Sequence, residues 1–201
     1  MVTDRGLKTR AKVLEHAFRQ FASNTYEKVS FSTLEKASGV CRGSMIHGFK
    51  NKENIFKEVL LTYVFNRYTV QNVPEYIKTS LFTFYNYFIE QCIREKESML
   101  SMGIENLNRG LFMMEVSAVQ HLPDFMDKAH EWYQNELQCW RDIFDHAVST
   151  GEIKQVNIDG YALLFENCYL GTSYAGLTVK FGYDIDAIKL AFDSAYENIK
   201  L

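Results

Sequence analysis

GVCRGSMIHGFKNKENIF, residues 39–56, sets two glycines, an arginine, a serine and a histidine in one short stretch and closes it with Phe49-x-Asn51-Lys52-Glu53. Gly39 suits the left-handed residue that ends a helix. Asn51, followed by Lys52 and Glu53, suits the cap and first turn of another. Between them the sequence predicts a short helix from Arg42 to about His47, with Met45, Ile46 and the following Phe49 as its few apolar positions. Gly43 removes a side chain near the start of that helix, and Arg42, Ser44 and His47 supply donors to its outer face.

The flanking sequence extends the pattern. From Gly6 to Asn24, Val13, Leu14, Ala17, Phe18, Phe21 and Ala22 recur at helical spacing. A second helix is expected over about 31–38, capped either by Ser30 or by Ser32 with Glu35 as a capping box. A fourth follows Asn51, its inner stripe formed by Ile55, Phe56, Val59, Leu60 and Tyr63. Helix, short helix, glycine turn and short helix make a helix-turn-helix arrangement, whose second helix fits the major groove while neighbouring amides and cations hold phosphates. On that arrangement Lys52, at a helix N-terminus, is a natural phosphate contact.

The rest of the chain reads as longer helices. Pro74 and Pro123, each followed by an acid, predict helix starts near 74 and 123. Gly151 closes the helix over 123–149, and two more follow over about 158–181 and 184–200, separated by Gly182. Two prolines and eleven glycines in 201 residues, against fifteen Phe and twelve Tyr, favour long helices over turn-rich sheets. The expectation is an all-α protein of about nine helices, with a helix-turn-helix domain over 1–50 and a larger helical domain over 51–201.

Charge and cysteine usage narrow the function classes. Residues 1–60 carry eleven Lys/Arg against six Asp/Glu, and residues 61–201 carry eleven against nineteen, so a basic block (+5) precedes an acidic body (−8). Such a block suits a polyanion partner. Cys41, Cys92, Cys139 and Cys168 form no CxxC pair and read as reduced cytosolic thiols. The first ten residues lack an apolar leader core, and the longest uncharged run of the most apolar tract, 167–179, is too short for a bilayer, so a cytoplasmic, membrane-free protein is expected.

The segment 9–60 resembles the N-terminal DNA-binding domain of TetR-family transcriptional regulators, matching its pattern at Ala17, Phe21, Ser30, Gly39, Val40, Gly43, Ser44, Phe49, Lys52 and Glu53. It departs where the family has a glycine (Thr25), a small alanine (Glu35), a serine (Cys41) and a tyrosine pair (Ile46, Gly48). Losing the hydroxyl at Ile46 removes one phosphate contact. The resemblance implies a homodimeric regulator, without enzymatic activity or cofactor, that reads a palindromic operator in double-stranded DNA through Ser30, Ser32, Thr33, Arg42, Gly43, Ser44, His47 and Lys52. It also implies release by a small apolar or aromatic effector, held by Tyr85, Phe88, Cys92, Met99, Met102, Met113, Met114, Phe165 and Tyr169. For the dimer contact it points to Gly171, Ala175, Ile185, Ile188, Phe192 and Ala195 on the last two helices.

Other chemistries find fewer residues. His121, His130 and His146 lie near Glu115, Glu131 and Glu136 in sequence, yet His130-Glu131 lacks the second histidine of a zinc HExxH site, and no metal is expected. No nucleophile elbow or P-loop is present, which leaves an enzyme reading without residues. Cys41, beside Arg42, is the one cysteine placed for redox sensing. The alternative to a regulator is a helical interaction or small-molecule-binding protein with a degenerate DNA-binding head.

Overall fold

A computed structural model describes residues 4–66 and 69–201, the side chain of Arg5 excepted. The start of the stretch read for a leader, Met1–Thr3, lies outside the described residues. These contain nine α-helices, and the chain divides into two compact units. The first comprises Met1–Arg67, Met102–Ile104 and Arg109–Pro123, and the second the remainder.

In the first unit, α1 (Asp4–Ser23) turns Val13, Ala17, Phe18 and Phe21 inward against Ile55, Phe56 and Val59 of α4 (Lys52–Leu60). Phe21 lies 4.6 Å from Phe56 and Phe18 stacks 4.2 Å from Tyr63, which sits in a single π turn (Leu61–Phe65) continuing α4. Each such buried side chain is worth about 1.5–3 kcal/mol. Between these helices lie α2 (Phe31–Ser38) and α3 (Arg42–Phe49), anchored by buried Leu34, Met45 and Phe49. The expected end of α3 at His47 is extended by one half-turn, which brings Phe49 inside.

Of the two possible caps for α2, Ser30 is used: it accepts from the Thr33 amide (3.2 Å), and Thr33 Oγ1 accepts from the Ser30 amide (2.6 Å). The Ser32–Glu35 box does not form, because Glu35 is turned to α3. The unit also includes α6 (Leu107–His121) from Arg109 onward, where Gly110 lies close against α1: a Cβ there would sit 3.0 Å from Ala22 Cβ and 3.4 Å from its carbonyl oxygen.

The second unit is built from α5 (Leu81–Ser101), α7 (Phe125–Ser149), α8 (Ile158–Ala175) and α9 (Ile185–Ile199). Trp140 is its centre, fully buried and within 6.0 Å of the rings of Phe84, Phe88, Phe165 and Phe192. Pro74 opens only a 3-10 turn (Glu75–Ile77); the long helix starts later, where Ser80 caps Thr83 and the Glu152 carboxylate accepts from the amides of Leu81 (2.8 Å) and Phe82 (2.9 Å). Pro123 stands two residues before α7 rather than inside it. Helix α8 stops at Ala175, short of the expected 181, because the chain doubles back there. A Cβ on Gly176 would lie 2.5 Å from the Tyr183 amide nitrogen, and Asn106 Nδ2 donates to the carbonyls of both Gly176 (2.9 Å) and Val179 (2.6 Å).

Candidate nucleic-acid interface

The turn between α2 and α3 is fixed by two residues. Gly39 adopts φ +66°, a conformation that costs glycine little, and its amide closes α2 on the Glu35 carbonyl. Ser38, buried, donates its hydroxyl to the Leu34 carbonyl (2.7 Å) and accepts from the Val40 amide (3.2 Å). Sequence reasoning finds Gly39 but not Ser38, whose hydroxyl only a folded turn brings into use.

Helix α3 then begins without help from its own cap residue. Cys41 makes no side-chain bond to the backbone; its Sγ lies 3.1 Å from Ser44 Oγ. The cap comes from α2, where Glu35 Oε1 accepts from the Arg42 amide at 3.1 Å. The long acid at 35 thus supplies an acceptor for the first amide of α3, with a negative charge at a helix N-terminus, where the side chain of Cys41 makes no capping bond. Thr25 is also accommodated, since its φ of −64° and ψ of 155° need no glycine.

Met45 and Phe49 point into the core, and Arg42, Gly43, Ser44, Ile46, His47 and Gly48 are exposed. The α3 surface is therefore a polar strip with small gaps, and Ile46 adds an apolar patch, 42% exposed. A Cβ on Gly43 would meet nothing within 4 Å, so no contact within the protein calls for glycine there. The Arg42 guanidinium lies 5.7 Å from the Phe31 ring.

The C-terminal end of α3 is strained and held. Lys50 has φ +70° and ψ −56°, and the Asn51 amide donates to the Phe49 carbonyl at 2.9 Å, a γ-turn of the rare hand. Arg10 reaches across from α1 to donate to the Gly48 carbonyl (2.9 Å), pairs with Glu58, and places its guanidinium 4.3 Å over Phe49. Asn51 caps α4 by accepting from the Asn54 amide (2.8 Å). Lys50 is exposed, as are Lys28 and Lys36, and these cations escaped the sequence reading because they belong to no motif.

The remaining sequence-derived positions are less uniform. Ser32 is exposed, while Ser30 and Thr33 use their hydroxyls on each other. Lys52 donates to the Tyr26 carbonyl (2.9 Å) and lies 3.8 Å over the Tyr26 ring, and burial lowers its pKa. It ties α4 to the turn before α2. The Cys41 thiol is pulled below its ordinary pKa chiefly by the Ser44 hydrogen bond; its neighbour Arg42 is not among the causes.

In the second unit, Tyr85, Phe88, Cys92, Met99, Phe165 and Tyr169 of the expected effector lining are all buried, with Phe88 5.2 Å from Tyr169. Met102, Met113 and Met114 fall in the first unit; Met114 is buried and Met113 is 37% exposed. Of the expected dimer residues, Gly171 and Ala175 are exposed, but Ile185, Ile188 and Phe192 are buried in their own unit, where Phe192 stacks on Phe165 at 4.3 Å. Those three belong to the core because α9 turns its most apolar stripe inward. Its outward stripe holds Ala187, Leu190 and Ala191, and that of α8 holds Leu163, Leu164, Gly171 and Tyr174.

A buried-anchored short helix that follows a left-handed glycine turn and presents an exposed polar face defines a helix-turn-helix head. Residues 13–59 match the family model of the bacterial regulatory proteins of the TetR family. The match identifies the head of the chain, residues 13–59, as a TetR-family DNA-binding domain. The HTH-type transcriptional repressor AcnR of Corynebacterium glutamicum is 42% identical over 53 residues, which span 26% of this chain and 28% of that protein. Among solved structures, NalD, the secondary repressor of the MexAB-OprM multidrug efflux pump in Pseudomonas aeruginosa, superposes with a TM-score of 0.66 at 16% identity, covering 96% of this chain and 98% of that one. The SmeT–triclosan complex gives 0.68 at 13% identity over 96% and 92%. At these identities the structural likeness concerns the fold.

Proposed function

We propose that the chain is a sequence-specific DNA-binding transcriptional regulator, a repressor acting in the cytosol without catalysis, whose head over about residues 1–50 reads a palindromic operator as part of a homodimer. The observation that carries this reading is the exposed strip Arg42, Gly43, Ser44 and His47 on a helix whose other side, Met45 and Phe49, is locked in the core. An arginine at the start of a recognition helix can bond guanine bidentately, worth about 1–3 kcal/mol of discrimination. Exposed Lys28, Lys36 and Lys50 supply charge for phosphates, and Ser32 an additional donor. The capping of the Arg42 amide by Glu35 supports an intact head over a degenerate one.

The dimer contact we assign to the outward stripes of α8 and α9, including Gly171 and Ala175, with Ala195 at their margin; Ile185, Ile188 and Phe192 support them from within. The effector site we assign to the aromatic helices of the second unit, and the binding of triclosan by SmeT and the efflux-pump role of NalD are in keeping with it. Such an effector acts by preferring the conformation that does not bind DNA. In the described residues no helix is long and apolar enough to cross a membrane.

The test is selection of bound duplexes from a random library at two salt concentrations, followed by Arg42→Ala and Lys52→Ala on the recovered site. A palindrome is expected, with Arg42→Ala costing about tenfold or more on it and little on random DNA. Sequence-blind binding alone would overturn the proposal. If Lys52 lies outside the phosphate set, as its tie to Tyr26 implies, Lys52→Ala leaves the salt slope unchanged.

A further inference from the structure

The second unit buries two carboxylates that serve no structural ion pair. Glu136 on α7 and Glu166 on α8 are each 1% exposed, and among the described residues neither has a cationic partner. One oxygen of each is bonded: Glu166 Oε2 accepts from Trp140 Nε1 (3.0 Å) and Glu136 Oε2 from the Val70 amide (3.2 Å). The other oxygen of each, Oε1, is buried with no hydrogen-bond partner. Thr69 and Gln71 lie near enough to Glu136 to moderate its pKa, but neither reaches Oε1.

The neighbours extend the pattern. Trp132, Glu136 and Trp140 recur every four residues along one face of α7, and Glu166, Tyr169 and Ser173 share a face of α8. Trp132 Nε1 and Ser173 Oγ are likewise buried and unbonded. The two helices are directly packed, with Trp140 5.2 Å and Phe144 5.1 Å from Phe165 and the Trp140–Glu166 bond joining them, and all four unbonded atoms belong to this helix pair. Burial, and after it the charge of Glu136, raises Glu166, and burial first, with the charges of both carboxylates among the further causes, raises the Cys139 thiol to about 11. A well-packed interior normally leaves few such groups unsatisfied, and a site for a ligand is one reason to keep them.

We infer that the α7–α8 seam is a binding site for an aromatic or aliphatic organic cation, whose ammonium group is recognised by Glu136 and Glu166 and whose apolar part rests on the Trp140, Phe165 and Tyr169 rings. Once ionised, the two carboxylates call for N–H donors or a positive charge, so an entering cation displaces the proton that Glu166 otherwise holds, and aromatic faces attract cations. An inorganic divalent ion fits less well, since no group of three or more His, Cys, Asp or Glu among the described residues can hold one. The four unbonded atoms are closed off from bulk solvent, so the cation enters only as the seam opens and selects a conformation other than this one. This deepens the effector reading, on which it rests for its regulatory consequence, and adds a positive charge to the apolar or aromatic ligand expected.

The seam carries its own reporter, because Trp132 and Trp140 are the two tryptophans of the chain. The full-length protein is titrated with 2-phenylethylamine and benzyltrimethylammonium, and with neutral 2-phenylethanol and anionic 3-phenylpropionate, by tryptophan fluorescence and calorimetry. At least one cation is expected to saturate about tenfold or more tightly than the neutral and anionic compounds, and Glu166→Gln, of the same volume, to lose that advantage while keeping the circular dichroism of the wild type. Glu136→Gln is the second variant, with the same expectation. Failure of both cations to saturate, equal binding of 2-phenylethanol, or an undiminished cation preference in both variants overturns the site. If a cation binds with this selectivity and leaves the operator occupied, the site stands and the effector reading falls.

Discussion

Replacing Gly43 by alanine separates what the fold needs from what DNA needs. Gly43 is the second residue of α3, and a Cβ built on it has no atom within 4 Å. Alanine therefore adds no clash and removes backbone freedom from the unfolded chain, a gain of about 0.5–1 kcal/mol, or roughly 1–3 °C in melting temperature for a chain of this size. The same methyl group stands on the exposed strip between Arg42 and Ser44, where the proposed DNA reading brings the helix backbone close to the groove wall. Holding the helix off by even a fraction of an ångström weakens several contacts together, so operator affinity should fall about tenfold or more, equivalent to about 1.4 kcal/mol. Fluorescence anisotropy on the selected operator, paired with thermal melting, measures both quantities on one preparation. A variant that melts higher and binds less supports the reasoning. Unchanged operator affinity would show that α3 does not approach DNA at this residue, and a lowered melting temperature would show a contact that the open space around Gly43 denies.

Three further outcomes follow from the geometry. Glu35→Ala removes the acceptor for the Arg42 amide and should cost about 1 kcal/mol of stability, whereas Cys41→Ser in that background restores most of it by capping α3 locally; a double-mutant cycle in urea with no coupling between the two positions would refute the shared cap. Glu166 has its pKa raised by burial, then by the charge of Glu136, from 4.5 to about 8, so the folded protein keeps a proton that the unfolded chain has released. Stability is therefore greatest below about pH 4.5 as far as this group is concerned and declines as pH rises toward 8, by up to about 5 kcal/mol, and Glu166→Gln should flatten that slope; parallel pH profiles of the two proteins would count against it. His121→Ala deletes a ring stacked 4.4 Å from Tyr26 and a bond to Glu27 of 2.6 Å, and should lower the stability of the first unit by about 1 kcal/mol, read as faster hydrogen exchange at residues 26–29.

The head was legible because its signals are local. Gly39, Ser30 and Asn51 act within four residues of their own position, and the alternation of buried and exposed residues along α1 and α4 follows a single period. Where the sequence misleads, a partner distant along the chain decides. Pro74 looks like a helix start, but the start of α5 is drawn to Ser80 by the carboxylate of Glu152, more than seventy residues away. Helix α8 has the composition to continue past Ala175, and it ends where Asn106 captures two carbonyls and Tyr183 leaves Gly176 no room for a side chain. The stripe Ile185, Ile188 and Phe192 reads equally well as core or as interface, since periodicity gives the apolar face of a helix but not what covers it.

The candidate site shows the same division with a sharper consequence. Read one residue at a time, Glu35 and Cys41 each weaken the case for a working DNA-binding head, one by crowding α2 and the other by failing as a cap. In the fold the two meet at the start of α3, where Glu35 accepts from the Arg42 amide at 3.1 Å beside the non-capping Cys41, so the first turn has an acceptor from α2 and the arginine backbone is held in position. Compensation of this kind couples two positions six residues apart through a turn, and only the Gly39 conformation brings them together. Helix α3 is therefore oriented by α2 as well as by its own sequence, and if it reads DNA as proposed, substitutions at Glu35 should alter DNA affinity through Arg42 without Glu35 itself touching DNA.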